Sequence, residues 1–238
     1  ALDRLAYDEL LAGQIAIGLV RRAAQTRPGR MLTGDGGLRE KALAAFGHPP
    51  TGAQRQAIAE IDADLAAPRR MLRLLQGDVG SGKTLVALMA MLRAVEAGAQ
   101  AAIMAPTEIL ARQHLRTFSR LAGAAGVQVA LLAGSVKGKE RSRVLLGLAS
   151  GSIPLVVGTH ALFQEKVAFR DLGLVVVDEQ HRFGVAQRLA LAGKGEDTDM
   201  LVMTATPIPR TLLLTQWGEM AVSRLAERPA GRKPIVTR

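Results

Sequence analysis

Short apolar runs recur along the chain at intervals that predict its strands. They lie at residues 71–77, 99–106, 127–134, 153–160, 172–179 and 200–206. Because the apolar residues in these runs are continuous, they are typical of strands that are buried on both faces of a parallel sheet. Helix-like stretches fall between several of the runs, at residues 83–97, 108–122 and 137–149. The alternation predicts a doubly wound α/β domain.

The two ends of the chain lack this alternation of apolar runs and helix-like stretches. Residues 2–20 have apolar positions at near-helical spacing, which predicts a helix, and the Gly- and Pro-rich stretch 26–50 predicts a linker with one short helix. The last residues lose periodicity and gain proline and charge. We therefore divide the chain into an N-terminal helical segment and linker (1–45), a central α/β lobe (46–225) and a linker that leads out of the lobe (226–238).

A glycine-rich loop follows the first predicted strand and opens a strongly apolar predicted helix. It consists of Gly77, Asp78, Val79, Gly80, Ser81, Gly82, Lys83 and Thr84. This spacing between a strand and a helix is that of a phosphate-binding loop, whose backbone N–H groups surround phosphate oxygens. Lys83 can reach the outer phosphates, and the Thr84 hydroxyl can hold Mg²⁺. The alternative is a glycine-rich turn that precedes Lys-Thr by chance.

Two adjacent carboxylates, Asp178 and Glu179, end the apolar run LVVV. A buried, unpaired carboxylate is costly, so the pair needs either solvent or a cation beside it. With a phosphate-binding loop present, Asp178 is expected to help hold Mg²⁺ and Glu179 to orient and deprotonate an attacking water. This pair favours hydrolysis over nucleotide storage. The simpler reading is a strand that surfaces and turns, with its polar residues solvated.

The excess of positive charge predicts a polyanionic binding partner. The formal net charge is +10, and residues 107–150 hold seven Lys or Arg against two Glu, a net charge of +5. Aromatic residues make up only 3% of the chain, which argues against a module that stacks bases on exposed rings. A nucleic acid is therefore expected to be held mainly through its phosphates. A solvated helix face is the alternative for this basic segment.

Composition also argues against other classes of protein. No apolar run reaches the roughly eighteen residues of a membrane span, and the first twenty residues lack the layout of a secretory signal. Cysteine is absent, so the chain has neither a disulfide framework nor a thiolate metal site. These features predict a cytoplasmic protein without a membrane partner.

Five segments together resemble those of superfamily-two helicases, most closely the RecG branch-migrating DNA helicases. They are GDVGSGKT (77–84), APTEILARQH (105–114), VVGTHALFQ (156–164), DEQHRFGVAQR (178–188) and MTATPIPRTL (203–212). Close variants occur in the transcription-repair coupling translocase and, less closely, in the primosome helicase. The resemblance covers residues 46–238 and implies a RecA-like P-loop domain, with a largely parallel sheet sandwiched between helices. It further implies ATP and Mg²⁺ as cofactors and branched DNA, such as stalled forks and recombination junctions, as the substrate.

The resemblance also assigns roles outside the phosphate-binding loop. Gln54 is expected to read the adenine edge, but Pro50 stands where the family has leucine and Phe46 is out of register, so this segment is not expected to stack on the base. Coupling between the nucleotide and DNA sites is implied for Gln180, His181, Thr204 and Thr206. Expected DNA contacts are Thr107, Arg112, Arg116, Lys137, Lys139, Arg141, Thr159, His160, Phe183 and Arg188.

Each of these assignments has a structural alternative. His181 at a strand end, on its own, is more often structural than functional. The loop that includes Phe183 and Arg188 could equally be the start of a capped helix, and the TATP segment could be a plain turn at the end of a strand.

The resemblance further implies parts that this chain lacks. Motors of this family close the ATP site between two RecA-like lobes, and the second lobe supplies arginines to the γ-phosphate. They also have an N-terminal wedge that binds nucleic acid. The chain matches one lobe, so we expect a fragment with feeble activity, because an arginine finger can contribute several powers of ten in rate. A P-loop phosphotransferase and a non-catalytic nucleotide-binding module stay open as alternatives.

Overall fold

The computed structural model describes residues 29–178, 198–206 and 220–227, and within them seven strands form one sheet. The strands are β1 (Leu72–Gly77), β2 (Gln100–Met104), β3 (Val129–Leu132), β4 (Leu155–Gly158), β5 (Leu172–Asp178), β6 (Asp199–Thr204) and β7 (Ala221–Leu225). Their order is β3-β4-β2-β5-β6-β1-β7, and every neighbouring pair is parallel. The predicted α/β fold with a parallel sheet is confirmed.

Five α-helices and one 3₁₀ turn lie in the described residues. They are α1 (Gly37–Phe46), α2 (Gly52–Leu65), α3 (Lys83–Glu96), α4 (Glu108–Ala124) and α5 (Gly138–Ser150), with the 3₁₀ turn at His160–Phe163. The Thr107 hydroxyl begins α4 by accepting a hydrogen bond from the Leu110 N–H. Helices α3, α4 and α5 lie within two residues of their predicted ends.

Side chains along each strand alternate between two apolar clusters on opposite faces of the sheet. On one face Leu75, Ile103 and Val176 pack with helices α1 to α4. On the other face their neighbours Leu74 and Val175 pack with helix α5. Because both faces are covered, four inner strands, β2, β4, β5 and β6, are buried at every position and β1 is buried at most positions, whereas the edge strands β3 and β7 are only half-buried.

The segment from residue 29 to residue 46 differs from the predicted linker, because it packs on the lobe. Leu32 is fully buried, and its N–H donates to the Leu65 carbonyl at the end of α2. Ala42 of α1 belongs to the same core cluster as the sheet. The Glu96 carboxylate accepts three hydrogen bonds from N–H groups at the start of α1. The boundary predicted at residue 46 therefore falls inside one packed unit.

Several sequence predictions lie outside the described residues. They are the helix at residues 2–20, the loop at residues 179–188, residues 207–212 of the segment MTATPIPRTL, and the tail from residue 228 onward. Among the residues that the structure does describe, no helix is long and apolar enough to cross a membrane.

Candidate functional site

The carboxyl ends of the strands bring most of the predicted site residues to one edge of the sheet. This edge is where ligands bind in open α/β sheets. The loop after β1, Thr204 at the end of β6 and Asp178 at the end of β5 occupy one half of it. The segments that follow β2, β3 and β4, which hold the predicted DNA residues, begin in the other half. Strand order thus separates the two predicted functions along one edge.

Glycines shape the phosphate-binding loop in two different ways. Gly80 and Gly82 adopt φ values of +82° and +89°, which side chains disfavour. Gly77 has no positive φ, but a Cβ there would lie 2.6 Å from the Ser81 hydroxyl oxygen and 2.9 Å from the Leu225 Cβ. Gly77 is therefore required by close packing, and the other two by backbone conformation.

Polar groups inside the loop fit an anionic ligand. The Lys83 ammonium donates to the carbonyl oxygens of Gly77 and Asp78, the latter at 3.0 Å, so it lies across the loop. Ser81 is only 4% exposed, and its hydroxyl has no hydrogen-bond partner within the part of the chain that the structure describes. Thr84, in the first turn of α3, is partly exposed. Phosphate oxygens would satisfy such donors, and the Thr84 hydroxyl is a suitable ligand for Mg²⁺.

Gln54 lies against the phosphate-binding loop, a contact that the sequence did not predict. Its Nε2 donates to the Ser81 carbonyl at 2.8 Å, and its Oε1 accepts from the Thr51 N–H at 3.0 Å, completing a capping box at the start of α2. A Cβ on Gly82 would lie 2.2 Å from this Nε2. Both ends of the amide thus have backbone partners, and adenine recognition by Gln54 stays a prediction.

Asp178 meets a residue to which the sequence assigned no role. The His114 Nε2 lies 2.7 Å from the Asp178 Oδ2, and the two side chains are 8% and 12% exposed. His114 is on α4, which follows β2, the strand next to β5. The sequence does contain a signal, because His114 is the polar member of a buried series at helical spacing with Ala111 and Phe118.

Strand β6 separates Asp178 from the phosphate-binding loop. The register places Asp178 beside Met203 and Gln76 beside Thr204. Because β5 and β1 are two strand spacings apart, the two halves of the nucleotide site lie roughly 10 Å from each other. This arrangement brings the phosphate-binding loop and the acidic strand end to one site.

The predicted coupling threonines lie between these two halves. Thr204 is 1% exposed, and its hydroxyl accepts from the Thr206 N–H at 3.1 Å. The Gln76 amide donates to the Thr206 carbonyl at 3.3 Å and thereby joins this segment to β1. Glu179, Gln180 and His181 lie outside the described residues.

The predicted DNA residues differ in exposure. Arg112, Arg116, Lys137, Lys139 and His160 are exposed, Thr107 and Arg141 are partly exposed, and Thr159 is only 5% exposed. Thr159 is buried, and a contact between it and the DNA backbone stays a prediction. Phe183 and Arg188 lie outside the described residues.

Two of the basic side chains already have protein partners. Arg112 donates to the Glu108 carboxylate at 2.8 Å and to the Ser135 hydroxyl at 2.9 Å. Hydrogen bonds from Ser135 and then from Arg112 hold the pKa of Glu108 below its usual value. Arg141 donates to the Gln164 side-chain oxygen at 2.7 Å. A phosphate would have to compete with these partners.

The parallel sheet, the glycine-rich loop and the acidic strand end define a RecA-like P-loop domain. A model of the DEAD/DEAH box helicase family matches residues 51–214. The chain therefore belongs to the DEAD/DEAH box helicase family.

Similar proteins make the family assignment more specific. The ATP-dependent DNA helicases RecG of Escherichia coli strain K12 and Bacillus subtilis strain 168 are 49% and 50% identical to the chain. Each alignment covers 100% of this chain and 35% of the relative, so the chain spans about a third of the length of these proteins. A structure of RecG bound to a three-way DNA junction matches with a TM-score of 0.81 and 43% identity, over 98% of this chain and 31% of that chain. The resemblance to RecG is confirmed.

Proposed function

We propose that the chain is the ATP-binding and hydrolysing lobe of a DNA helicase or translocase that remodels branched DNA. The observation that supports this most is the pairing of a phosphate-binding loop with Asp178 across β6, on a chain about half identical to RecG helicases. Those relatives are named ATP-dependent DNA helicases, and one RecG structure holds a three-way DNA junction. Stalled forks and recombination junctions are DNA of this branched kind.

Each part of the nucleotide site has a proposed task. Backbone N–H groups of the loop and the N-terminus of α3 bind the phosphates of ATP, and Lys83 neutralises the outer ones. Thr84 and Asp178 hold Mg²⁺, which, when bound, draws charge from the phosphate oxygens. Glu179, the next residue after Asp178, orients the attacking water and accepts its proton. Gln54 positions the loop through the Ser81 carbonyl and faces the adenine.

The second half of the edge is proposed to meet DNA. The exposed cations Arg116, Lys137 and Lys139 contact phosphates, and Arg112 and Arg141 join them if a phosphate replaces their present partners. The threonines of the TATP segment, together with Gln180 and His181, link this half to the nucleotide site. Thr107, Thr159, His160, Phe183 and Arg188 are the remaining proposed contacts.

Further domains of the working protein are part of the proposal. We infer a second RecA-like lobe that supplies arginines to the γ-phosphate, reached through residues 226–238, and an N-terminal wedge that binds the DNA branch. The shorter span of this chain relative to RecG supports this division. Residues 46–225 form the motor lobe, and the N-terminal segment contributes at least residues 29–45 to its packing.

ATP turnover measured with and without branched DNA tests the proposal. The assay uses the chain alone and the chain joined to its second lobe, each compared with the Glu179→Gln variant. We expect feeble turnover by the chain alone and DNA-stimulated turnover by the two-lobe protein. Glu179→Gln should keep nucleotide affinity and lose turnover, since only the base is removed.

Other results would favour the competing classes. Phosphoryl transfer to a small acceptor, with no response to DNA, would indicate a P-loop phosphotransferase. Nucleotide binding without turnover in the two-lobe protein would indicate a non-catalytic module. Stimulation that depends on RNA polymerase or on primosome components, rather than on branched DNA alone, would favour the transcription-repair coupling translocase or the primosome helicase.

A further inference from the structure

Helix α4 presents one polar side chain on its buried face. Ala111, His114, Phe118 and Leu121 are its inward residues, and the His114 side chain is 8% exposed. A buried polar side chain is costly unless it is hydrogen-bonded. His114 meets this need through Asp178, and the Phe118 ring lies beside it with a centroid distance of 5.8 Å. The imidazole is therefore held between a carboxylate and an aromatic ring.

The chemistry of the two side chains sets the direction of the hydrogen bond between them. A carboxylate can only accept, so His114 donates from Nε2 to the Asp178 Oδ2. The bond uses one oxygen of the carboxylate and leaves Oδ1 as the oxygen that can face a cation. It also fixes the rotation of the carboxylate on the last residue of β5. Partners of this kind orient carboxylates that ligate metals.

His114 and Asp178 also stand at the border between the two halves of the edge. Strand β2, which leads into α4, belongs to the half with the basic residues, and β5 belongs to the half with the phosphate-binding loop. These strands are neighbours in the sheet. Among the described residues, this bond joins a side chain of the helix that holds Arg112 and Arg116 to the carboxylate assigned to the cation.

We propose that His114 is a positioning residue, which holds the Asp178 carboxylate in the orientation that binds the cation of a magnesium–nucleotide complex and ties that carboxylate to helix α4. The inference rests on the proposed function, because it assumes that Asp178 faces Mg²⁺. A purely structural histidine would contribute to the stability of the fold and would have no specific effect on the cation. The two roles therefore differ in their dependence on magnesium.

Calorimetric binding of a non-hydrolysable ATP analogue, with Mg²⁺ and with a chelator, separates these roles without any measurement of activity. The 238-residue chain is compared with His114→Leu, which removes the donor. We expect the affinity gained from Mg²⁺ to fall about tenfold in this variant, the scale typical of lost partners of metal ligands. The affinity measured with the chelator should not change.

Two amides of different length provide the matched pair. His114→Gln places an N–H donor at nearly the reach of Nε2 and should restore most of the magnesium-dependent affinity. His114→Asn is as polar but too short, and it should behave like His114→Leu. If His114→Leu fails to fold, the difference between the Gln and Asn variants decides the question.

Ile61→Val controls for loss of stability. Ile61 is a buried residue of α2 away from the pair, and the change should lower the melting temperature while leaving the magnesium-dependent affinity intact. A loss of affinity that is equal with and without Mg²⁺, or Gln and Asn variants that bind alike, would overturn the role of His114 alone. A parent chain whose affinity does not respond to Mg²⁺ would overturn the proposed cation site as well.

Discussion

Lys83 lies across the phosphate-binding loop, bonded to backbone carbonyls rather than packed in the core. We therefore expect Lys83→Ala to leave the fold intact and to weaken nucleotide binding by roughly 30- to 100-fold, since a charged hydrogen bond contributes about 2–3 kcal/mol. Calorimetry with a magnesium–nucleotide complex measures the effect. Lys41→Ala, which removes an exposed lysine of α1, is the control. Undiminished affinity in Lys83→Ala would refute the assignment of the loop.

Asp199 is a buried carboxyl at the start of β6. Burial raises its pKa to about 7, although the Met71 N–H, 2.6 Å from its Oδ1, and the Arg70 charge act in the opposite direction. The folded state therefore holds a proton that the unfolded state releases near pH 4. The stabilising contribution of this proton is present in full below about pH 4 and is lost as the pH rises through about 7.

Asp199→Asn should remove this pH dependence. The amide keeps an oxygen for the Met71 N–H and is neutral at every pH. We expect the variant to be more stable than the parent at pH 8, by about 1–4 kcal/mol, because one pKa unit corresponds to about 1.4 kcal/mol. Urea unfolding between pH 5 and pH 8 measures the change, with the exposed Asp35→Asn as control. Parallel stability curves for variant and parent would contradict the prediction.

Glu96 is the side chain at the end of α3 that fastens helix α1 to the lobe. Its carboxylate is 2% exposed and accepts the N–H groups of Gly36, Leu38 and Arg39 at 2.9–3.2 Å. Glu96→Gln replaces one acceptor oxygen with an NH₂ group, so that at least one backbone N–H of α1 would face a donor instead of an acceptor. We expect a loss of about 1–3 kcal/mol of unfolding free energy, the cost of an unsatisfied buried group.

The matched control for this helix is Glu40→Gln. Glu40 is in the first turn of α1 and is exposed, so its change should cost less than about 0.5 kcal/mol. Denaturant unfolding of both variants measures the difference. Equal effects would mean that the Glu96 hydrogen bonds do not hold α1 in place.

Local pattern accounts for most of the elements. Strands β1 to β6 were predicted because each is a continuous apolar run, and burial on both faces is what such a run reflects. Strand β7 was missed because its sequence AVSRL is not a continuous apolar run, since Ser223 and Arg224 interrupt it. The segment 29–46 was read as a linker from its glycines and prolines, whereas its packing depends on contacts with Leu65 and Glu96 far along the chain.

The candidate site shows the same difference between what a local sequence pattern predicts and what depends on long-range packing. The phosphate-binding loop could be predicted because its function depends on a local spacing of glycines and Lys83. The pair of His114 and Asp178 could not, since 64 residues separate them and only the order of the strands brings them together. The capping box and loop contact of Gln54 likewise depend on how α2 packs, which no local pattern records.

The chain has a formal net charge of +10, and residues 107–150, which follow β2 and include α4 and α5, hold +5 of it. If this basic segment contacts phosphates, DNA binding should be independent of sequence and strongly sensitive to salt. Each phosphate contact contributes about 0.9 to the slope of log affinity against log salt on duplex DNA. Removing one contact, as in Arg116→Ala or Lys139→Ala, should lower the slope by roughly one unit and weaken all sequences alike.

Salt titrations of duplex and branched DNA binding check this expectation. Arg69→Ala is the control, because Arg69 is an exposed arginine just before β1, at the opposite edge of the sheet. Arg112→Ala should have a smaller effect than Arg116→Ala, since Glu108 already neutralises part of its charge. A slope that stays fixed while preference among sequences changes would mean that these side chains are only solvated.

The docking of residues 29–46 also bears on where such a protein can be cut for expression. A shortened version that begins at residue 46, as the sequence alone would recommend, removes the buried side chains of Leu32 and Ala42 and deprives Glu96 of its three donors. The apolar surface beneath them, on α2, α3 and α4, would then face water. Such a patch promotes aggregation, so a poor yield from that version would reflect the choice of boundary rather than any defect in the lobe itself.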